Sequence, residues 1–296
     1  MTTATAAPPL PDRQAGTRPR RQAPMQQAPK AAPAPRVTFG SVRSGGGHRI
    51  VLYGPGGIGK TTLAAIAPGP VAFFDLDDSL GVLAGQLPDV DVRPVSGAST
   101  WQDIRGALHA PGWDAPSGGG GGIKTIVIDS ATRAEELATD WVIANVPHDQ
   151  NRRIERVEDY GYGKGYRHIY DTFLTLLADL DAHVRAGRNV ILVAHEATEK
   201  HPNPQGEDWL RSEPRLQHTS KNSIRERARD WCDHLLFVGY DVEVKDGRGR
   251  SSGTRTLWPT EQPHCMAKSR TLADPVEVIK HDATIWNLIF GQKGDK

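Results

Sequence analysis

At 296 residues the chain has room for one large domain or two small ones. Its hydrophobic content of 38 % is low, and no apolar run is long enough to span a bilayer, which excludes a membrane-spanning helix. The net charge of +1 excludes a polycation that attracts nucleic acid as a whole, so any such attraction must come from local patches. Cys232 and Cys265 form no C-x-x-C pair and fit a reducing cytoplasm, and the eleven histidines lack the spacing of a zinc site.

Residues 1–47 read as a disordered tail. Met1 to Arg43 is rich in Ala, Pro, Gln and Arg, has Asp12 as its one acid, and shows no apolar period with which to offset chain entropy. It lacks the continuous apolar stretch of a signal peptide. Residues 48–296 read as one α/β domain. His48 to Tyr53 predicts a short buried strand, followed by a glycine-rich loop and a helix over T-T-L-A-A-I-A. Pro70 to Leu76 predicts a second strand, and Ser99 opens a helix with a Ser or Thr cap. Pro111 to Gly122, ending in five consecutive glycines, is a flexible loop, Thr125 to Asp129 an apolar strand ending in an acid, and Thr132 to Asn145 a helix. A charged irregular stretch, 148–165, leads to the strongest helical period: Tyr166, Ile169, Tyr170, Phe173, Leu177, Leu180 and Val184 share one face. Asn189 to Ala194 predicts a buried strand, and Glu196 to Lys221 a long polar loop. A basic helix from Ser223, a strand from His234 to Tyr240, an antiparallel partner ending near Leu257 and a short helix from Ile285 to Phe290 complete the chain. Apolar strands alternating with helices predict a mostly parallel sheet covered on both faces, with a C-terminal antiparallel extension.

Gly54-Pro55-Gly56-Gly57-Ile58-Gly59-Lys60-Thr61 matches G-x-x-x-x-G-K-[ST] in full, with Thr62 following. Its glycines permit the backbone angles that turn N–H groups around phosphate oxygens. The helix behind points its positive end at the same oxygens. Lys60 is expected to reach the β- and γ-phosphates of ATP, and Thr61 to take a place on Mg²⁺. Asp129, emerging where open α/β sheets bind ligands, is the expected Mg²⁺ acid. Its neighbour Ser130 either orients a water or caps the next helix. Of the acids Asp75, Asp77 and Asp78, Asp77 is the choice to orient an attacking water. His195, ending its strand at the same edge, is a candidate γ-phosphate sensor. Gly161 to Gly165 lacks both the spacing and the strand of a second nucleotide loop.

The P-loop, the strand ends F-F-D-L-D-D and T-I-V-I-D-S, the long helix, V-I-L-V-A-H-E and the late K-S-R stand in one collinear order. In this the chain resembles the RecA-like P-loop core, most of all the small phage-encoded AAA-type ATP-binding proteins that include RecA-like single-strand annealing proteins. The resemblance covers roughly His48 to Lys280. It implies that Asp77 stands where the family has a catalytic Glu, and the shorter side chain implies slow turnover. It implies that His195 takes the place of a polar switch residue. It also implies that Lys268 and Arg270 reach a neighbouring subunit's nucleotide in a ring or filament. Two segments match the loops that hold single-stranded DNA. The first carries Arg152, Arg153, Arg156 and Lys164 with the rings of Tyr160, Tyr162 and Tyr166; the second carries Arg211, Arg215 and Lys221. The implied function is an ATPase acting on single-stranded DNA in phage-type recombination, annealing or replication, in the bacterial host cytoplasm. Phage single-strand-binding or replication proteins are its implied companions. A nucleotide-gated interaction module with little turnover, and a helicase or helicase-loading motor, are the alternatives.

Overall fold

The computed structural model describes residues 46–87, 90–114, 121–245 and 248–291, with the side chains of 243–245 and 248–252 outside the description. The expected tail, apart from its last two residues, and residues 115–120 of the expected glycine-rich loop lie outside the described residues.

The first strand, β1 (Arg49–Gly54), is buried from Ile50 onward because both of its faces are covered. Val51 and Tyr53 point into one core, Ile50 and Leu52 into the other. This is why the strand is apolar at consecutive positions rather than at alternate ones. It continues through the P-loop into α1 (Lys60–Ala65). Then come β2 (Val71–Asp75), α2 (Leu80–Leu83), β3 (Val92–Pro94), α3 (Trp101–His109), β4 (Thr125–Asp129) and α4 (Ala131–Asn145). The long helix is α5 (Lys164–Arg185), and it leads to β5 (Asn189–His201), β6 (Trp209–Pro214) and α6 (Ile224–Trp231). The chain ends with β7 (His234–Lys245), β8 (Arg248–Trp258), β9 (Val276–Glu277) and α7 (Thr284–Phe290).

Among the described residues nine strands form one sheet in the order β3-β2-β4-β5-β1-β7-β8-β9, with β6 paired to β5. The strands from β3 to β7 in that order are mutually parallel, whereas β8 and β9 add antiparallel. This is the expected α/β architecture, a mostly parallel sheet with helices on both faces and an antiparallel C-terminal extension. Helices α3, α4 and α5 cover one face through Ile104, Ala134, Ala138, Phe173 and Leu177. Helices α1 and α7 cover the other, where Trp286 donates its indole N–H to Leu63 O at 2.9 Å.

Helix starts follow from local chemistry. The α3 cap is Thr100, whose hydroxyl accepts from Asp103 N while Asp103 accepts from Thr100 N. Ser130 accepts from Arg133 N at 3.1 Å, so it caps α4.

One expectation is corrected. The stretch from Glu196 to Lys221 is not a long loop, because β5 runs on to His201 and pairs antiparallel with β6, from Glu196 opposite Pro214 to His201 opposite Trp209. Once β5 leaves the covered sheet it needs no apolar side chains, so its polar sequence hides a strand.

Candidate nucleotide site

The sheet register assembles the site. Gly54 lies beside His195, Asp129 beside Val193 and Asp75 beside Asp129, so the carboxyl ends of β1, β2, β4 and β5 meet at one edge. The P-loop leaves from the middle of that edge. Gly59 sits at φ 103°, in the region that side chains avoid.

Lys60 is 9 % exposed and its ammonium donates to Gly54 O at 2.9 Å and Pro55 O at 2.8 Å. Burial lowers its pKa, against the pull of the Asp129, Glu196 and Asp77 carboxylates. The Thr61 hydroxyl donates to Asp129 Oδ2 at 2.6 Å. Burial pushes the Asp129 carboxyl up to about 6, with the Thr61 bond and Lys60 opposing and the carboxylates of Asp77 and Asp75 adding to the rise.

The three acids that follow β2 have separate fates. Asp75 accepts from Ser79 N and Leu80 N, each at 2.9 Å, and so holds the turn into α2. Asp78 sits exposed at φ 52°. Asp77 is the acid that faces His195, whose Nε2 lies 3.3 Å from its Oδ2. On the other side of the ring, Arg215 Nη2 lies 3.2 Å from His195 Nδ1. A guanidinium can only donate, so Nδ1 accepts, and a neutral ring carries its proton on Nε2 and gives it to Asp77. The backbone at His195 is fixed as well: its N–H donates to Thr132 Oγ1, and its carbonyl accepts from Arg215 N at 2.8 Å.

A cavity of about 630 Å³ opens beside the loop, floored by Gly59, Thr61 and Thr62 and walled by Val82, Val278 and Ile279. Arg255 of β8 reaches into it and donates through Nη1 to Ile58 O at 3.0 Å. Neither Arg255 nor Arg215 stood out as part of a nucleotide site in the sequence. Each belongs to the site through pairing between distant segments, which leaves no local spacing to find.

The remaining candidates are more dispersed. Arg152, Arg153, Arg156, Tyr162 and Lys164 are exposed, although Arg153 pairs with Glu155 at 3.2 Å and Lys164 pairs with Asp149. Tyr160 is buried and gives its hydroxyl to Val142 O and Val146 O, which removes it from the rings available for stacking. Arg211 turns inward, its guanidinium bound to Glu213 at 2.6 Å and Glu261 at 2.8 Å, so it differs from the solvent-facing cation expected from its charge alone. Lys221 is exposed. Lys268 and Arg270 lie near the amino end of β7, opposite the P-loop edge; Lys268 donates to Arg229 O, and Arg270 pairs with Asp233 at 2.9 Å.

A glycine-rich phosphate loop, a buried lysine, and a threonine–aspartate pair at the carboxyl edge of a parallel sheet define a P-loop nucleoside triphosphatase. The chain belongs to the AAA domain family, which it matches over residues 47–271. Among solved structures it is similar to a KaiC-like protein of the hyperthermophilic archaeon Pyrococcus horikoshii OT3, at 17 % identity and a TM-score of 0.41, over 78 % of this chain and 85 % of that one. No curated protein matches. No helix of the described residues is long and apolar enough to cross a membrane.

Proposed function

We propose that the chain hydrolyses ATP with Mg²⁺ and uses the nucleotide state to control contact with single-stranded DNA, in recombination, annealing or replication of the phage type. The observation that carries this reading is the bridge Asp77–His195–Arg215, which joins the P-loop edge to the base of the β5–β6 hairpin.

Thr61 and Asp129 are hard oxygen donors 2.6 Å apart and fit Mg²⁺, which keeps few protein ligands and takes the rest from water and phosphate. Bound there, the ion neutralises charge on the phosphate oxygens. Lys60, now turned onto two loop carbonyls, exchanges them for phosphate oxygens. Asp77 orients the attacking water, and His195, held between Asp77 and Arg215, registers the terminal phosphate. Arg152, Arg156 and Tyr162 supply exposed cations and a free ring for a nucleic-acid strand. Lys268 and Arg270, at the opposite edge, suit a head-to-tail oligomer in which they meet the next copy's nucleotide.

ATP turnover with and without single-stranded DNA, beside filter binding across salt concentrations, tests the reading. Binding should be tighter with a non-hydrolysable ATP analogue than with ADP and fall steeply with salt. His195→Ala should keep ATP binding and erase the difference between the two nucleotide states. Wild type without single-strand affinity at low salt in any nucleotide state overturns the DNA part. The chain is then a nucleotide-gated interaction module, a reading favoured by the short Asp77 side chain and its contact with His195.

A further inference from the structure

We propose that Arg255 is a phosphate-binding residue acting in cis, delivered to the P-loop by the antiparallel part of the sheet. The proposal rests on the nucleotide-binding reading above and names a ligand contact within that site.

Three observations converge. Arg255 lines the cavity beside the loop together with Lys60, Thr61 and Thr62. Among the described residues its side chain makes one hydrogen bond, from Nη1 to Ile58 O, and no carboxylate lies within ion-pair distance of it. Other partly or fully buried arginines of this chain are paired: Arg49 with Asp181, Arg105 with Asp179, Arg188 with Asp114, Arg225 with Glu213. A guanidinium carries five N–H donors in a rigid fork suited to phosphate, and four of these remain for a ligand. Finally, a Cβ at Gly59 would lie 2.8 Å from Arg255 Nη1, so the loop admits the arginine through a position that has no side chain.

The middle of the P-loop, where Arg255 docks, surrounds the phosphates that a nucleoside diphosphate and triphosphate share. Arg255 therefore binds both alike. An interaction made equally in ground and transition states lowers KM and leaves kcat unchanged. This separates Arg255 from a cation that meets only the terminal phosphate. Its strand also carries the cavity wall, since Val278 N donates to Arg255 O at 2.7 Å. Filling the phosphate site thus fixes the wall beside it.

Calorimetric titration of the full chain with ADP and with a non-hydrolysable ATP analogue tests this, beside steady-state turnover. Arg255→Gln keeps an N–H donor for Ile58 O and loses the charge; Arg255→Lys keeps the charge and loses the fork. Arg255→Gln should weaken both ligands by about 10- to 100-fold, the range of a charge-assisted contact, and raise KM with kcat kept. Arg255→Lys should lose less. Wild-type affinity in a folded Arg255→Gln variant overturns the proposal, as does a loss confined to the ATP analogue. If Arg255→Gln fails to fold, a KM rise at constant kcat in Arg255→Lys decides in its favour and an unchanged KM against it. A wild type that binds neither ligand overturns the nucleotide reading itself, and this proposal with it.

Discussion

Glu213 is the point at which the base of the β5–β6 hairpin is most exposed to a single change. Its side chain is 3 % exposed and accepts from Arg211 at 2.6 Å, from His201 Nε2 at 2.7 Å and from Arg225, itself 4 % exposed. Glu213→Gln leaves the shape almost intact and removes the charge that the buried Arg225 and the partly buried Arg211 share. Removing one partner of a buried pair costs roughly 3–5 kcal/mol, because the other charge stays buried. Arg225 keeps Glu199 at 3.0 Å and Arg211 keeps Glu261 at 2.8 Å, which places the expected loss at the lower end, about 3 kcal/mol. Among the described residues the Arg225 Nε already has no partner. Burial pushes the Glu213 carboxyl upward, but Arg211 and Arg225 outweigh it and leave its pKa below the ordinary value of 4.5. A lowered carboxyl contributes stability that is present above pH 4.5 and lost as pH falls through the lower folded value. Urea unfolding at pH 7.5 should therefore show the full deficit, and the gap to wild type should narrow below about pH 4.5. A deficit under about 1 kcal/mol at pH 7.5 would refute the reasoning and show that packing alone holds the hairpin.

The P-loop and metal residues give sharper tests. Lys60→Ala should abolish nucleotide binding or turnover with the fold kept, as read by calorimetry beside circular dichroism; normal affinity and turnover in the folded variant would sink the assignment. Asp129→Asn should weaken Mg²⁺-dependent turnover far more than nucleotide binding in EDTA, and equal loss in both conditions points to another role. The same change should raise the melting temperature of the nucleotide-free protein at pH 7.5. A carboxyl raised to about 6 contributes stability that is present below its ordinary value of 3.8 and lost as pH rises through about 6, and asparagine carries no such loss.

Features written in contiguous residues were legible before the structure. The P-loop is one eight-residue pattern, β4 has the predicted limits Thr125 to Asp129, and the period of α5 named a face on which Ile169, Phe173, Leu177, Leu180 and Val184 are buried. Short, weakly patterned elements such as α2, β3 and β9 escaped, since two to four residues carry no period. Charge was legible as sign and not as direction. Arg211 and Arg152 are the same residue type in two basic stretches. One turns inward because Glu213 and Glu261 meet it, and the other stays in solvent. The partners at the nucleotide edge come from far apart in the chain: 118 residues separate Asp77 from His195, and 197 separate Ile58 from Arg255. Only the sheet register brings them together.

The polar half of β5 shows what that register adds to function. Successive strand residues point to opposite faces, so His195, Glu199 and His201 share one side of β5. His195 meets Asp77 and Arg215, Glu199 meets Arg225 at 3.0 Å, and His201 meets Glu213 at 2.7 Å. Arg225 and Glu213 then bind each other. One face of a single strand therefore runs from the P-loop edge into a buried ionic cluster without an intervening loop. His195 thus stands on the same strand face as groups held in place by paired charge. The same alternation of polar residues that made this stretch resemble a loop in the sequence is what gives the strand its line of paired groups.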